Sequence, residues 1–496
     1  MQTIRTTQSL CPECMNVIDA EIYEDGGVVY MGKTCPKHGR FEDVYWSDYE
    51  LFKRAEEYEC IGEGLKNPRT QTSKGCPYDC GICPEHKSHT VLSIIDVTNR
   101  CNLRCPICFA NAATAGYLYE PTQDEIWSML KNLRSNLPVA PNSIQFSGGE
   151  PTVRDDLPEL VAMAKKAGFD HIEVNTNGIR ISKDPAFLKR LIDAGLSTLY
   201  LQFDGMKPGP YIAARGLDLF DTKLKALENC RAVGLDSVVL VPTVVRGVND
   251  DQIGSIIRFA AKNCDVIRGV NFQPVSMAGR IDKKRLREMR ITVPDVVRLA
   301  EAQTGGEIKA SDFYPIPVIL PISKAVGALK GKRYPEFTNH QECGMATMIM
   351  PEGDKLVPIT RYANVEKFMS AMEKVYEDAS KGSTMRAKMR LLGATRHVKL
   401  GLLGSLVSSV LLHGDYSSLG EFMRKVVLIG IMHFMDPYNF DLERVQRCLI
   451  HYAVPDGRII PFCTYNSIHR PQVEKKLGVP IKEWQSKHKV EISQPI

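Results

Sequence analysis

The sequence predicts an α/β protein built on an open, partial (β/α)6 barrel, with a metal-binding β module before it and a cysteine-containing domain after it. Strand-like runs alternate with amphipathic segments between residues 91 and 280, the pattern of βα units on a parallel sheet. Six such units are too few to close an eight-stranded barrel. Ten of the fifteen cysteines precede residue 109, many at spacings of two or three residues, and these indicate metal sites.

Length and composition limit the classes of protein to which this chain can belong. The 496 residues predict two to four domains, and 44% hydrophobic with 24% charged residues is ordinary for a globular protein. A net charge of +5 is small for this length, so nucleic acid is not an expected partner. Closely spaced cysteines favour a reducing, cytoplasmic compartment. The longest apolar segment near the C-terminus, at 401–414, is shorter than the ~20 residues of a spanning helix, although peripheral membrane contact is compatible with it.

Residues 1–59 predict a small β module that carries two metal-binding knuckles. Cys11 and Cys14 form the first, and Cys35 and His38 form the second. Such knuckles build tetrahedral sites for zinc or for a rubredoxin-like iron. The role is structural, because the module is too small for a sufficient core. Cys60 is an alternative to His38 as the fourth ligand.

Residues 60–90 form a second cysteine-rich segment. Cys76, Cys80 and Cys83 follow one another at three- and two-residue spacings, and few apolar residues surround them. The segment therefore needs a metal to fold. Cys60 lies close enough in the sequence to complete a set of four thiolates. We expect an auxiliary [4Fe-4S] cluster here, with a structural zinc as the alternative.

The predicted barrel occupies residues 91–280. Its candidate strands read VLSIIDVT, SIQFSGG, HIEVNTNG, TLYLQFDG, SVVLVPTVV and GVNFQPVS. Amphipathic segments such as 156–168 and 184–195 lie between them and predict the covering helices.

A third cysteine triplet follows the first of these strands. Cys101, Cys105 and Cys108 can bind three irons of one [4Fe-4S] cluster, which leaves the fourth iron without a protein ligand. Phe109 adds an aromatic side chain directly after the triplet. The pattern resembles that of radical S-adenosylmethionine (SAM) enzymes, in which the open iron binds SAM and a 5′-deoxyadenosyl radical is formed. A zinc site is the alternative.

A glycine motif supports the resemblance to radical SAM enzymes. Residues 147–151 read SGGEP and are similar to the GGEP motif of that family, whose glycine backbone meets the amino group of SAM. Polar residues also end the next two strands, where active sites of such barrels lie. The candidate SAM-binding residues are Phe109, Ser147, Gly148, Gly149, Glu150, Pro151, Asn175, Asn177, Gln202 and Asp204.

The remaining chain divides into a helical connector at 281–340 and a C-terminal domain at 341–496. Cys343, Cys448 and Cys463 of that domain predict a further cluster. Its fourth ligand is not evident from the pattern. The candidates are Cys230, Cys264, His451 or an exogenous group, although the two cysteines occupy helical patterns typical of buried core thiols.

Several apolar stretches lie near or within this last domain. Residues 313–322, 398–413 and 426–435 predict buried helices of its core. They also fit the lining of a tunnel for alkyl chains, or a helix on a membrane surface. The basic run at 280–287 is either a solvated helix face or a surface for anionic head groups.

Taken over its whole length, the chain resembles the archaeal tetraether lipid synthases. The shared motifs are CPxC with CPxHG, CPxxCGxCPEH, TNRCNLRCPICF, SGGEPT, and HFMDPYNFDLER followed by PDGRIIPFC. The resemblance implies coupling of the terminal sp3 carbons of archaeol phospholipids into macrocyclic and tetraether lipids. It also implies three [4Fe-4S] clusters, one on each cysteine triplet, and one mononuclear rubredoxin-like iron. His38 departs from an all-cysteine iron site. A ferredoxin or flavodoxin is the expected electron donor.

Two other functions stay open at this stage. One is a radical SAM enzyme of another substrate class, such as one that methylates a pterin precursor. The other is an iron–sulfur electron carrier without catalytic activity, against which the SGGEP motif argues.

Overall fold

The computed structural model describes residues 2–113, 116–399, 424–481 and 483. Most of the apolar stretch predicted at 398–413 lies outside these residues. Within them the strands are β1 (Gln2–Leu10), β2 (Val17–Asp25), β3 (Val28–Cys35), β4 (Gly39–Trp46), β5 (Leu92–Thr98), β6 (Tyr117–Leu118), β7 (Ser143–Gly148), β8 (His171–Thr176), β9 (Thr198–Gln202), β10 (Val238–Val241), β11 (Thr243–Val244), β12 (Ile267–Pro274), β13 (Tyr314–Pro315), β14 (Gly344–Glu352), β15 (Lys355–Pro358), β16 (Val427–Met432), β17 (Ile450–Ala453), β18 (Ile459–Pro461) and β19 (Val479–Pro480).

The α-helices of the same residues are α1 (Tyr49–Glu56), α2 (Gln123–Arg134), α3 (Leu157–Lys166), α4 (Ile179–Lys183), α5 (Pro185–Ala194), α6 (Pro208–Arg215), α7 (Phe220–Val233), α8 (Ile253–Lys262), α9 (Leu286–Met289), α10 (Val293–Gln303), α11 (Leu320–Lys330), α12 (Val365–Ser380), α13 (Thr384–Ala394), α14 (Leu442–Gln446), α15 (Phe462–Thr464) and α16 (Arg470–Leu477). None of these helices is long and apolar enough to cross a membrane.

The N-terminal module is an antiparallel sheet in the order β1-β2-β3-β4, followed by α1. Gly26 and Gly27 make the turn between β2 and β3 with φ angles of +61° and +82°, which favour glycine. Met31 and Trp46 are buried with Phe52 of α1 and form the core of the module. The two predicted knuckles lie in the turns between β1 and β2 and between β3 and β4.

The barrel is confirmed as a partial one. Strands β5, β7, β8, β9, β10 and β12 are parallel neighbours in that order, and each overlaps one of the six predicted runs. None of their residues is exposed, because helices cover the outer face of the sheet. Helix α2 shows how the sequence starts such a helix: Thr122 and Glu125 form a capping box.

Strands from the C-terminal region extend this sheet at both edges. Beyond β12 the order continues with β16, which is parallel to it, and then with β14, which is antiparallel. Beyond β5 it continues with the parallel β17 and the antiparallel β18. The prediction of a helix at 426–435 is therefore wrong for β16, whose residues alternate between buried and half-buried as a strand's do. The predicted domain boundary at residue 341 falls between strands that belong to one and the same sheet.

Buried ion pairs join the N-terminal module to this extended sheet. Arg290 pairs with Asp43 of β4 and with Asp436, which follows β16. Arg5 of β1 lies 2.8 Å from the carboxylate of Asp441. Because these charges are removed from water, each is held by its partner and the orientation of the module is specified.

Candidate active site

A cavity of about 260 Å3 opens at the carboxyl ends of the barrel strands and continues into the barrel interior. Its lining includes all three cysteines of the predicted SAM cluster. Eight of the ten predicted SAM-binding residues also line it. These eight are Phe109, Ser147, Gly148, Gly149, Glu150, Asn175, Asn177 and Gln202.

The cysteine triplet lies on the loop after β5, and Arg280 holds that loop in place. Cys108 and Arg280 exchange two backbone hydrogen bonds of 2.9 Å, and the guanidinium Nε of Arg280 donates to the carbonyl of Cys105 at 2.7 Å. Burial raises the pKa of the thiols of Cys101 and Cys105. Among the described residues that line the cavity there is no further cysteine and no histidine. Three thiolates with no fourth protein ligand fit a [4Fe-4S] cluster with one open iron.

The two glycines of the SGGEP motif pack against the cysteine loop. Gly148 has a φ of +132°, and a Cβ on it would lie 2.1 Å from the carbonyl oxygen of Thr98. A Cβ on Gly149 would lie 2.2 Å from that of Arg100. Gly149 N–H donates to the Thr98 carbonyl at 2.7 Å. The glycines are therefore required for the approach of β7 to the loop that presents the thiols.

Glu150 links three elements of the site. Its carboxylate accepts hydrogen bonds from the backbone N–H of Thr152 at 3.1 Å, the hydroxyl of Thr176 at 2.6 Å and the backbone N–H of Asn177 at 2.7 Å. The carboxylate is occupied within the protein, so it positions the loops after β7 and β8. Pro151 begins a short 3-10 helix and is not among the cavity-lining residues.

Asp204 acts through an arginine that the sequence pattern did not reveal. Its carboxylate pairs with both Nε and Nη2 of Arg215, at 2.8 and 2.7 Å, and it does not line the cavity. Arg215 does line it, and also donates to the carbonyl of Ile107 at 3.0 Å. Burial alone would lower the pKa of Arg215, but Asp204 raises it above its usual value. The predicted contact of Asp204 with SAM is therefore replaced by a fixed cation near Cys105.

Two cavity residues are oriented by a buried lysine. Lys223 donates to the backbone carbonyl of Asn177 and, at 3.3 Å, to the side-chain oxygen of Gln202. Burial lowers the pKa of Lys223 to about 8. Since the lysine ammonium only donates, the amide nitrogen of Gln202 is left to face the cavity.

An aromatic cluster forms another wall of the cavity. The rings of Phe434 and Phe462 stack with centroids 3.9 Å apart, and Phe109 lies 5.4 Å from Phe462. The first two come from residues after β16 and β18, so the C-terminal region closes the site. Aromatic walls of this kind exclude water and stack on flat ligands.

The N-terminal knuckles bring together a second and separate group of residues that could hold a metal ion. The ligand atoms of Cys11, Cys14, Cys35 and His38 all lie within 4.8 Å of one another. Backbone hydrogen bonding from Lys37 lowers the pKa of Cys35 to about 6, which favours the thiolate that binds metal.

His38, and not Cys60, lies with the three cysteines of the N-terminal set. The sulfur of Cys60 lies 3.9 Å from the carbonyl oxygen of Phe337, in the loop that precedes β14. Its role as the fourth thiolate of the second triplet stays a prediction.

The thiols of the second triplet influence one another. The interaction with Cys76 lowers the pKa of Cys80 to about 6, and the charge of Cys80 contributes to the raised pKa of Cys83, whose main cause is burial.

The C-terminal triplet is assembled from three distant segments. Burial raises the pKa of each thiol, and Cys463 interacts electrostatically with both Cys448 and Cys343. Of the suggested fourth ligands, His451 is bonded through Nδ1 to Thr90 at 3.0 Å and through Nε2 to His86 at 3.1 Å. Cys230 is buried in the core of the barrel, and Cys264 packs against the same core. These contacts favour none of the three as the ligand that completes the set.

Comparisons with known proteins agree with this architecture. Residues 95–260 match the Radical SAM superfamily, and residues 3–47 match the HMPTM N-terminal zinc ribbon domain. The 7,8-dihydro-6-hydroxymethylpterin dimethyltransferase of Methanocaldococcus jannaschii is 51% identical over 501 residues, which cover 98% of each chain. The GTP 3′,8-cyclase of Chlorobaculum tepidum is 29% identical and covers 44% of this chain and 66% of its own. Among solved structures, SuiB of Streptococcus suis has a TM-score of 0.37 at 19% identity, covering 44% of this chain and 47% of SuiB.

These comparisons confirm a radical SAM enzyme that uses an iron–sulfur cluster and SAM, with a further metal site in the N-terminal module. The prediction of a tetraether lipid synthase is wrong, because the relative that matches the full length is named for a pterin. An archaeal ether phospholipid is wrong as the partner for the same reason. Most of the shared motifs on which that resemblance rested carry the cysteines and glycines of predicted cofactor sites, and HFMDPYNFDLER contributes structural ion pairs through Asp436 and Asp441. Such motifs do not specify the substrate.

Proposed function

The chain belongs to the family of the 7,8-dihydro-6-hydroxymethylpterin dimethyltransferases, and from this membership we propose that it is a radical SAM methyltransferase acting on a reduced pterin. The observation that carries the proposal is 51% identity across 98% of both chains. That identity spans the ribbon, the barrel and the strands that close the cavity. A relationship confined to the SAM-binding barrel would not extend to the substrate.

The residues of the cavity fit the cofactor pair. When bound, a [4Fe-4S] cluster and SAM supply a carbon radical that removes hydrogen from an unactivated C–H bond. Cys101, Cys105 and Cys108 hold the cluster in this proposal, with the amides of Asn177 and Gln202 facing SAM. Arg215 presents a fixed positive charge beside the cysteines, and the ring of Phe109 excludes water from the reacting atoms.

Further metal sites belong to the same proposal. We assign one auxiliary [4Fe-4S] cluster to Cys76, Cys80 and Cys83, and another to Cys343, Cys448 and Cys463. The N-terminal site, with three cysteines and one histidine, is assigned to zinc, because this is an established tetrahedral zinc donor set. A ferredoxin or flavodoxin is the proposed reductant.

The proposal is tested by product analysis. Because SAM that is cleaved to 5′-deoxyadenosine releases its methyl group within methionine, each methylation also needs a one-carbon donor. Anaerobically reconstituted enzyme is incubated with a reductant, 7,8-dihydro-6-hydroxymethylpterin and SAM in excess, as radical source and candidate methyl donor, and in a parallel arm also with a tetrahydrofolate-type one-carbon donor. Both mixtures are separated by liquid chromatography with mass detection. The expected products are 5′-deoxyadenosine and pterins that carry one or two added methyl groups. Formation of 5′-deoxyadenosine without any methylated pterin, at pterin concentrations that saturate binding, would contradict the proposal.

A further inference from the structure

We propose that the pterin is recognised inside the barrel by hydrogen bonds to polar side chains on β7, β9 and β12. These side chains, here called the interior row, are Gln145, Tyr200, Asn271 and Gln273. The inference rests on the proposed function and names where and how its substrate is recognised. The interior row was not among the residues that the sequence motifs indicated. It lies deeper in the barrel than the SGGEP loop.

The interior row is placed by strand geometry. Side chains of a strand alternate between its two faces, so Asn271 and Gln273 of β12 point to the same side. Gln145, Tyr200 and both of these residues line the cavity that contains the three cysteines. A ligand resting on the row would therefore face the thiols across one continuous cavity.

The half-buried carboxylate of Glu173 orients Gln145. The amide nitrogen of Gln145 donates to Oε2 of Glu173 at 2.8 Å, and the other oxygen of Glu173 lies 3.0 Å from Nε2 of His171. An ionised carboxylate only accepts hydrogen bonds, so the amide of Gln145 cannot be reversed. The side-chain oxygen is left as an acceptor. Because Gln145 is only 5% exposed, leaving that oxygen without a donor is costly.

Tyr200 offers the opposite function. The side-chain nitrogen of Asn271 donates to the phenolic oxygen of Tyr200, which leaves the phenolic proton free to donate to a ligand. Burial raises the pKa of Tyr200 above its usual value, so the proton is retained at neutral pH. The cavity thus presents an acceptor at Gln145 of β7 and a donor at Tyr200 of β9, with β8 between the two strands.

This pairing is complementary to one edge of a pterin. The pyrimidinone ring of a pterin carries a 2-amino group and an N3–H, which donate, next to a 4-carbonyl oxygen, which accepts. The 2-amino group would donate to Gln145 and the 4-carbonyl would accept from Tyr200. Phe434, Phe462 and Tyr452 line the same cavity and offer flat faces for the bicyclic ring.

Binding measurements test the inference. The wild-type holoenzyme with bound SAM is titrated by equilibrium dialysis with 7,8-dihydro-6-hydroxymethylpterin and with a lumazine, in which a carbonyl replaces the 2-amino group. We expect the wild type to bind the lumazine about tenfold more weakly, because the side-chain oxygen of Gln145 then faces a carbonyl oxygen and loses its hydrogen-bond donor. Gln145→Leu should bind the pterin about tenfold more weakly and should no longer distinguish the two ligands.

Two further variants separate recognition from folding. Tyr200→Phe retains the ring and should also weaken pterin binding about tenfold, while it keeps the preference for pterin over lumazine. Gln123→Leu is the matched control, because Gln123 is exposed on α2 and bonds only to Asp156 at the surface. Iron content and SAM affinity should be unchanged in all three variants.

The outcomes separate this inference from the proposed function. A wild type that binds no pterin overturns both. A wild type that binds pterin, with Gln145→Leu equal to it in affinity and in preference, overturns the interior row alone. Loss of iron or of SAM binding in Gln145→Leu would leave Tyr200→Phe to decide, and unchanged pterin binding in that variant would also overturn the row.

Discussion

The N-terminal module and the barrel each hold a cysteine site, and the two differ in completeness. In the module, three thiols and one imidazole lie within 4.8 Å of one another on two turns of a small sheet. In the barrel, Cys101, Cys105 and Cys108 lie on one loop and face a cavity that supplies no fourth cysteine or histidine from the described residues.

This difference distinguishes two roles of cysteine in the same chain, one in a structural metal site and one in a reactive cluster site. A metal with a full set of protein ligands has no position for a substrate, so it contributes to folding. A cluster with an open iron can bind a reactant. The surroundings follow the same division: the complete site lies on turns of a small sheet, whereas the open one is surrounded by buried arginine, amides and aromatic rings.

The largest effect is expected from a change in the open site. Cys105→Ala should reduce 5′-deoxyadenosine formation to background, because two thiolates do not retain the cluster in a reactive form. Chromatographic quantification of 5′-deoxyadenosine checks this, and zinc content should stay at the wild-type level. Cys264→Ala, which changes a cysteine outside the three triplets, should retain activity. Comparable activity in Cys105→Ala and the wild type would remove the barrel site from the mechanism.

The closed site should respond in stability instead. Cys14→Ala should lose its metal and unfold the module locally, since a structural zinc site contributes on the order of 10 kcal/mol to the folding of a small domain. Hydrogen–deuterium exchange should accelerate in residues 2–47 and remain slow in the barrel strands. Lys37→Ala, a neighbouring change that removes no ligand atom, is the control. Slow exchange throughout the module of Cys14→Ala would contradict a structural metal.

Two glycine substitutions, one in each region, compare the regions by their effect on the free energy of unfolding. Gly149→Ala forces a Cβ against the carbonyl of Arg100 and should lower the free energy of unfolding by about 3 kcal/mol. Gly26→Ala meets no atom within 4 Å and suffers only from its φ of +61°, at about 1 kcal/mol. Thermal unfolding of both variants tests the ranking, and a larger loss in Gly26→Ala would reverse it.

An effect smaller than that of Gly149→Ala is expected at the junction between the two regions. Asp441 is buried, which opposes ionisation, but Arg5 lowers its pKa to about 2. Because the folded pKa lies below the unfolded value near 3.8, this stabilisation is present above about pH 4 and is lost as the pH falls towards 2. The loss is about 2 kcal/mol.

Thermal unfolding between pH 5 and pH 2 measures this loss. Asp441→Asn removes the titrating group, so its stability should fall less steeply over that interval, although it starts lower at neutral pH. Parallel curves for the wild type and the variant would assign the acid sensitivity to other carboxylates.

The sequence by itself determined the elements whose signals are local. Each barrel strand is a short apolar run followed by a turn, and the thiols of each knuckle are neighbours in the chain, so spacing predicted both. The SGGEP motif was predicted to contact SAM, and the structure gives its residues partly different roles. Its glycines approach the backbone of the cysteine loop, and Glu150 bonds to the chain rather than facing a ligand.

Only the tertiary structure decided the features that join distant segments. The edges of the sheet are completed by β14, β16 and β17, whose partners lie far away in sequence and leave no local trace. The choice of His38 over Cys60, the pairing of Asp204 with Arg215, and the orientation of Gln145 by Glu173 have the same origin. Each of these contacts depends on which side chains become neighbours after the strands have paired. The spacing of residues along the sequence does not contain that information.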